Sequence, residues 1–237
     1  TLDPSDGSYE FEPGSDFQYL REGQPIEVDF TYKTTDQNGI DSNVATITIV
    51  VTGVNDPATP QDDALSENVI EDGSSVYSTV ADPDDYDADD GDTYIYRTVA
   101  GSQVDEDGNV VAGGEITWND ATRTYTFDPL DDFQYLREGE ELPLTFNYEV
   151  EDQSGNISTE ATISLVVEGV NDDTIAENNT INAVEDGSSV PGLVLTSDAD
   201  DGDIYVYSIV SDLGAGEGSV TLNENDGSYE FDPGSDF

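Results

Sequence analysis

The chain has no cysteine, no histidine and no methionine, and only five of its 237 residues are basic. Without cysteine it can form no disulfide and no thiolate metal site, and it has no cysteine nucleophile. Its apolar runs are also short: the longest, around residues 46–51, has the length of a strand. A membrane-spanning helix needs roughly 18 or more apolar residues, so we expect no membrane insertion.

The second imbalance is in charge, because 55 acidic residues give a formal net charge of −50. Such a chain repels phosphate, which excludes nucleic acid as a partner and argues against docking on anionic membranes. Cations are implied instead, since bound cations offset the self-repulsion of a compact acidic chain. A disordered acidic tail is disfavoured, because 35% of the residues are hydrophobic. A solvated acidic surface of the halophile type stays open and can coexist with metal binding.

A long repeat organises the sequence. The octapeptide DFQYLREG begins at Asp16 and again at Asp132, and each copy ends on GVND, at residues 53–56 and 169–172. The two copies therefore lie 116 residues apart at both ends. A fixed period of this length indicates a tandem repeat array.

The repeat divides the chain into three parts. We expect residues 1–56 to be the C-terminal half of a repeat, residues 57–172 a complete repeat, and residues 173–237 the N-terminal half of a third. DGSYEFEPGSDF at residues 6–17 returns as DGSYEFDPGSDF at residues 226–237. Neither half should bury a full core alone. We therefore predict end-to-end complementation, in which residues 173–237 of one molecule pair with residues 1–56 of another.

Short alternating segments separated by turns predict the fold. IEVDFTYKTTD places Ile26, Val28 and Phe30 on one face, and strands are also expected at SYEFEP from Ser8, at residues 64–70 and at TYIYRTV from Thr93. Residues 101–115 should form a hairpin excursion that turns at Asp107-Gly108. The fold class is all-β: tandem Ig-like, cadherin-like antiparallel β-sandwiches.

Acidic side chains recur at fixed places in each repeat. These places are EDG, D-x-D in the acidic loop at residues 82–92, the Glu of LREG, the Asp of a hairpin turn and the closing Asn-Asp. Carboxylate and carbonyl oxygens are the ligands of Ca²⁺, which takes six to eight of them at about 2.3–2.6 Å. Because the loops of a sandwich gather at its two ends, acids from successive repeats should meet at the joint between them.

The order and spacing of these motifs resemble those of the VCBS and cadherin-like repeats of large bacterial surface adhesins of the RTX type. EDGSSV from Glu185, followed by SDADDGDIYVYSIV, is similar to a VCBS opening, and VEDQSGNISTEATISLVVEGVND is similar to the cadherin signature. The resemblance covers essentially the whole chain. It implies extender domains bridged by calcium, whose partners are the neighbouring repeats. It also implies export to the surface of a Gram-negative bacterium by type I secretion.

The resemblance also implies a ligand set for each joint. The first would use Glu22, Asn55, Asp56, Asp87, Asp89 and Asp152. The second would use Glu71, Glu138, Asn171, Asp172, Asp173, Asp198 and Asp200. The chain departs from cadherins in having Gly-Val before each Asn-Asp, where cadherin linkers carry an extra acid, and in having no Asp before the Arg of LREG. We therefore expect one ion in each joint rather than three.

Other interpretations remain open. Single acids in DQSGN or NDATR can be ordinary turn residues, and DPDDYDADDGD, which lacks EF-hand spacing, can be an acidic loop without a specific ion. A glycan- or protein-binding module is the alternative function, with a site at residues 104–114 and Trp118 as its nearest aromatic. We expect no enzyme, because G-x-S-x-G and a phosphate-binding glycine loop are absent and nothing places a carboxylate pair in an apolar pocket.

Overall fold

The computed structural model describes residues 1–82, 87–89 and 91–234. Part of the acidic loop, residues 83–86 and 90, and the end of the last repeated word, residues 235–237, lie outside the described residues. The regular structure of the described residues consists of strands. They contain no helix that is long and apolar enough to cross a membrane.

The described residues form sixteen strands. Their bounds are β1 Pro25–Tyr32, β2 Ala45–Thr52, β3 Asp63–Ala64, β4 Val69–Ile70, β5 Val76–Thr79, β6 Ile95–Thr98, β7 Val104–Asp105, β8 Glu115–Asn119, β9 Thr124–Asp128, β10 Glu141–Glu151, β11 Ala161–Glu168, β12 Ile175–Glu177, β13 Val190–Leu193, β14 Leu195–Ser197, β15 Ser219–Leu222 and β16 Ser228–Asp232.

The chain forms two compact units. Unit 1 comprises Thr1–Glu67, Ser75–Asp128 and Pro143–Leu165. Unit 2 comprises Asn68–Ser74, Pro129–Leu142 and Val166–Phe237. The repeat boundaries proposed from the sequence, at residues 56/57 and 172/173, remain predictions.

Unit 1 contains the two facing sheets of an Ig-like sandwich. One has the order β5-β9-β8, and the other has the order β3-β11-β10-β6 with β7 also on β10. The pairs within β5-β9-β8 and those of β10 with β6 and β7 are antiparallel, while β3 joins β11 in parallel. A separate antiparallel hairpin, β1-β2, runs in register from Pro25 opposite Thr52 to Tyr32 opposite Ala45.

Large aromatic side chains fill the space between the two sheets. Tyr125 of β9 and Phe146 of β10 have no exposed surface, and their rings meet edge to face at 6.0 Å. Trp118 of β8 stacks on Tyr96 at 5.2 Å and lies 5.2 Å from Tyr148. The alternation of each strand places these rings on one face, so β8, β9 and β10 share one core.

Unit 2 contains the sheet β13-β16-β15, the pair β12-β14, and the short parallel pairing of β4 with Val167 and Glu168 of β11. Both pairings in the three-stranded sheet are antiparallel. Its apolar face is less covered than that of unit 1: Tyr229 and Phe231 are half-buried, whereas Phe127 of β9 is fully buried.

The structure confirms the all-β, Ig-like fold and most of the expected strands, with two differences. SYEFEP forms only an isolated bridge between Leu2 and Tyr9, because residues 1–17 provide no pair of flanking strands such as β5 and β8 give to β9. The strand expected at residues 64–70 is interrupted by a bend, so that β3 and β4 pair separately with β11. The excursion turns where expected, since the Gly108 N–H donates to the Asp105 carbonyl oxygen at 3.0 Å.

Candidate metal centres

The D-x-D motif has the same local structure in both copies. The Asp89 N–H donates to the Asp87 carboxylate at 3.0 Å, and the Asp200 N–H donates to the Asp198 carboxylate at 3.2 Å. This short-range bond is the usual way in which an aspartate shapes a turn. It leaves the second aspartate of each pair buried, with exposed fractions of 1% for Asp89 and 4% for Asp200.

Cluster A comprises Asn55, Asp56, Asp87, Asp89, Asp92 and Asp152, which all lie in unit 1. The Asp56 N–H donates to Oδ2 of Asp89 at 2.9 Å, and Nδ2 of Asn55 donates to Oδ2 of Asp152 at 2.9 Å. Oδ1 of Asp152 accepts two backbone N–H bonds within its own turn, at 2.9 Å each. These hydrogen bonds therefore link residues that are far apart in the sequence.

Cluster B comprises Glu71, Asp172, Asp198, Asp200 and Asp203, which all lie in unit 2. The Asp172 N–H donates to Oδ2 of Asp200 at 2.9 Å, just as Asp56 does to Asp89 in cluster A. Oε1 of Glu71 accepts the Val170 N–H at 2.8 Å. Two sets of three carboxylates have ligand atoms that all lie within 4.8 Å of one another: Glu71, Asp172 and Asp200, and Asp198, Asp200 and Asp203.

Both clusters contain buried oxygens without a hydrogen-bond partner. In cluster B these are Glu71 Oε2, Asp172 Oδ2 and Asp200 Oδ1. In cluster A they are Asn55 Oδ1, Asp56 Oδ2, Asp89 Oδ1 and Asp92 Oδ2. A buried polar atom without a partner is costly, so each orphan oxygen requires a cause. A bound cation supplies one, because these atoms are hard-oxygen ligands.

The pKa shifts of the carboxylates in both clusters agree with a bound cation. Burial raises the pKa of the Glu71 carboxyl, and the nearby charge of Asp172 adds to the effect. Burial likewise raises the pKa of Asp89, of Asp92 and of Asp172, with further contributions from neighbouring carboxylates. Each raised pKa means that the ionised carboxylate is disfavoured in the ion-free site. A divalent cation would favour the ionised form and lower the pKa again.

Each cluster also holds an arginine that sequence reasoning missed. Arg21 pairs with Asp92, with Nε 3.3 Å from Oδ1, and also donates to the Gly91 carbonyl oxygen. Arg137 donates to the Asp201 carbonyl oxygen, and its Nε lies 3.9 Å from Oδ1 of Asp203. Both arginines come from LREG, and both aspartates close the repeated word DADDGD. The repeated motifs LREG and DADDGD contain both members of each pair, but the sequence alone does not show that they pair.

A close backbone contact requires the glycine of GVND in both copies. The Gly23 N–H donates to the Gly53 carbonyl oxygen at 3.0 Å, and Gly139 does the same to Gly169 at 3.0 Å. A Cβ at Gly53 would overlap the carbonyl oxygen of Arg21, and one at Gly169 would overlap that of Arg137. A close backbone contact with the LREG loop therefore leaves no room for a side chain at this position.

The structure brings together most of the residues expected from the sequence, but not all. Asn55, Asp56, Asp87, Asp89 and Asp152 form cluster A, and Glu71, Asp172, Asp198 and Asp200 form cluster B. Glu22 and Glu138 are exposed in the turns after the two arginines. Asn171 and Asp173 are also exposed, and Asn171 donates to the Asp172 carbonyl oxygen at 2.6 Å. As metal ligands, all thirteen residues remain predictions.

Comparison with known proteins gives a family match for part of the chain. Residues 171–237 match the family model of the bacterial Ig domain. No curated protein matches the chain. The match and the facing sheets of unit 1 agree: the chain is built of Ig-like β domains.

Among solved structures, the chain is similar to Drosophila N-cadherin EC1-4, with 16% identity and a TM-score of 0.35, covering 92% of this chain and 51% of that one. It is also similar to protocadherin gammaB7 EC3-6, with 16% identity and a TM-score of 0.40, covering 90% and 52%. An endo-fucoidan hydrolase of glycoside hydrolase family 107 matches with 13% identity and a TM-score of 0.34, covering 88% and 30%. The chain thus spans about half the length of the cadherin chains.

Proposed function

We propose that the chain is an extender segment of a secreted bacterial surface adhesin of the VCBS and RTX type, made rigid by calcium. In this role it holds a distal adhesive domain away from the cell that exports it by type I secretion. The observation that carries the proposal is the pair of equivalent acidic clusters, each with buried oxygens that lack a hydrogen-bond partner. Its partners are the neighbouring repeats of the same chain.

The mechanism is mechanical. Asn55, Asp56 and Asp89 would hold the ion in cluster A, and Glu71, Asp172 and Asp200 would hold it in cluster B. A bound divalent cation supplies positive charge to carboxylates that repel one another. The chain's own residues position these groups: backbone N–H groups orient Asp89 and Asp200, while Arg21 and Arg137 offset part of the negative charge. With the ion in place, the loops that meet in a cluster can no longer move apart.

The alternative, a glycan- or protein-binding module, has weaker support, because its nearest aromatic residue lies in the core. Trp118 packs among Tyr96, Tyr125 and Tyr148, and its indole N–H donates to the Thr98 hydroxyl at 3.0 Å. The excursion at residues 104–114 contains no aromatic side chain that could replace it. A catalytic role is not part of the proposal, because the buried carboxylates are grouped with one another and with arginine as a cation site would need.

Thermal unfolding followed by circular dichroism tests the proposal in excess chelator, in millimolar calcium and in the same concentration of magnesium. Extracellular calcium modules bind with Kd near 10⁻⁴–10⁻³ M. An ion at about 100 times its Kd stabilises the folded state by about 2.7 kcal/mol per site. We therefore expect a large rise of the midpoint that is specific for calcium.

The double variant Asp89→Asn, Asp200→Asn should lose most of this rise. The matched control is Asp107→Asn, an exposed acid in the hairpin turn, which should keep it. Equal stabilisation by calcium and magnesium would instead assign the acidity to a solvated surface. Small-angle scattering that gives the same maximum dimension in chelator and in calcium would contradict the rigid spacer.

A further inference from the structure

The arginine of the first LREG motif reaches across the predicted boundary between two repeats. Arg21 precedes the boundary at residues 56/57, while its partners Gly91 and Asp92 follow it. The guanidinium donates to the Gly91 carbonyl oxygen, and its Nε lies 3.3 Å from Oδ1 of Asp92. All three residues belong to unit 1, so the contact is made within one compact unit.

The arginine of the second LREG motif contacts the corresponding loop in unit 2. Arg137 donates to the Asp201 carbonyl oxygen, and its Nε lies 3.9 Å from Oδ1 of Asp203. A backbone bond supports this contact, since the Asp201 N–H donates to the Tyr135 carbonyl oxygen at 3.1 Å. Arg137 precedes the predicted boundary at residues 172/173, and Asp201 and Asp203 follow it. The repetition of the contact argues against a chance pairing of surface charges.

The acidic loop has the shape that the arginine needs. Gly91 and Gly202 occupy the same place in the two DADDGD motifs, with φ angles of 76° and 80°. A Cβ at Gly91 would lie 2.4 Å from Nη2 of Arg21, and one at Gly202 would lie 2.3 Å from Nη2 of Arg137. The glycine therefore supplies both the backbone conformation of the turn and the space for the guanidinium.

The base of each arginine is fixed to the end of its own repeat. In the first copy the Gly23 N–H donates to the Gly53 carbonyl oxygen at 3.0 Å, and the Gly53 N–H donates to the Gln24 carbonyl oxygen at 2.9 Å. The second copy has the same two backbone bonds, at 3.0 and 2.8 Å. The LREG turn is thus bound to GVND on one side, while its arginine side chain is bound to the acidic loop on the other.

Burial makes the first of these ion pairs stronger than an ordinary surface pair. The Asp92 side chain is 1% exposed and that of Arg21 is 39% exposed, whereas Lys33 and Asp41 are 54% and 48% exposed. An ion pair between exposed side chains contributes little, but a buried carboxylate that loses its partner is costly. Salt also screens a partly buried pair less. The contact of Arg21 should therefore persist at physiological ionic strength.

We propose that Arg21 and Arg137 act as fixed cations that hold each joint between repeats together when calcium is absent. Each arginine starts from the end of one repeat and is bound in the acidic loop of the next. It limits how far the two repeats separate after clusters A and B have loosened in chelator. The carboxylates of a cluster then stay near one another, and returning calcium meets an assembled site. The inference rests on the proposed arrangement of extender repeats, but it does not depend on calcium binding.

The distance between two spin labels tests this contact at the first joint, because the chain has no cysteine of its own. Asp29→Cys and Asp107→Cys introduce the labels at exposed positions of unit 1, on the two sides of the boundary. Pulsed electron paramagnetic resonance gives the width of the distance distribution in chelator. Arg21→Gln removes the contact. The matched control is Arg97→Gln, whose partner Glu151 lies on the same side of the boundary as Arg97.

In chelator we expect Arg21→Gln to widen the distribution about twofold, because domains without a fixed contact move relative to one another. Arg97→Gln should leave the width unchanged. The double variant Arg21→Gln, Asp92→Asn removes the buried charge together with its partner, and circular dichroism should show that it stays folded. Its distribution should be as wide as that of Arg21→Gln alone.

Two results would overturn the proposal. One is an Arg21→Gln distribution no wider than that of the control. The other is a double variant with the width of the labelled parent chain, since Arg21 would then only neutralise Asp92. The width of the parent in calcium is a separate measurement. If calcium does not narrow it, the proposed calcium bridging fails, while the comparison in chelator still decides for or against the arginine contact.

Discussion

Replacing Glu71 by glutamine should stabilise the chain in chelator and destabilise it in calcium. The Glu71 side chain is 1% exposed, and its ligand oxygen lies within 4.8 Å of those of Asp172 and Asp200. At an effective dielectric constant of about 20, two unit charges 4.8 Å apart repel by roughly 3.5 kcal/mol. Screening and local relaxation reduce this, so we expect Glu71→Gln to add about 1–3 kcal/mol of unfolding free energy in chelator.

In calcium the sign reverses, because glutamine keeps the acceptor for the Val170 N–H but removes one anionic ligand. Calcium affinity depends on the number of charged ligands. A tenfold loss of affinity corresponds to about 1.4 kcal/mol. Urea unfolding in chelator and in saturating calcium measures both effects on one variant.

The matched control is Glu185→Gln, which makes the same change in the second EDG motif, at residues 185–187, where the glutamate is exposed. It should change the unfolding free energy by less than about 0.5 kcal/mol under either condition. A Glu71→Gln variant that is destabilised equally in chelator and in calcium would refute the reasoning, since Glu71 would then be only a structural hydrogen-bond acceptor.

The remaining predictions concern the same clusters. Gly169→Ala should lower the unfolding free energy by about 1–3 kcal/mol, because its Cβ would overlap the Arg137 carbonyl oxygen; a urea titration that shows no loss would contradict the close contact. Arg21→Gln should lower the thermal midpoint in chelator and enlarge the calcium-induced rise, because the buried Asp92 loses its cation. Arg97→Gln, whose partner is more exposed, should change neither appreciably. The gain from Glu71→Gln in chelator should vanish below pH 4.5, the ordinary pKa of this carboxyl, and grow as the pH rises, because the raised pKa penalises only the charged form. A gain that does not vary between pH 3 and 8 would contradict this sign.

The fold could be predicted because the strands of this chain carry a period of two. In β10 and β11 the alternation of apolar and polar residues coincides with the observed burial. Strand pairing was harder to predict from the sequence, because SYEFEP has the same alternating pattern as β9 but forms no strand at residues 8–13. Alternation describes which face is apolar, while a strand also needs a neighbour on at least one side.

The candidate sites could be predicted in part for a similar reason. The repeated motifs predicted Asp89 and Asp200 as site residues, and both are buried in the structure. The same motifs predicted Glu22 and Glu138 equally, but both are exposed. Sequence alone does not tell which side of a turn faces a cluster. The role of Arg21 was hidden as well, because its partner Asp92 lies 71 residues further along the chain.

The position of Trp118 has a consequence for spectroscopy. It is the single tryptophan among thirteen tyrosines, and Tyr96, Tyr125 and Tyr148 surround it at ring distances of 5.2–5.5 Å. Its fluorescence therefore reports on the core between β8, β9 and β10 alone, with the neighbouring tyrosines as donors of excitation energy. Residues 1–56 and 173–237 have tyrosine but no tryptophan. The chain thus carries a natural optical probe that separates the melting of this core from that of residues 1–56 and 173–237.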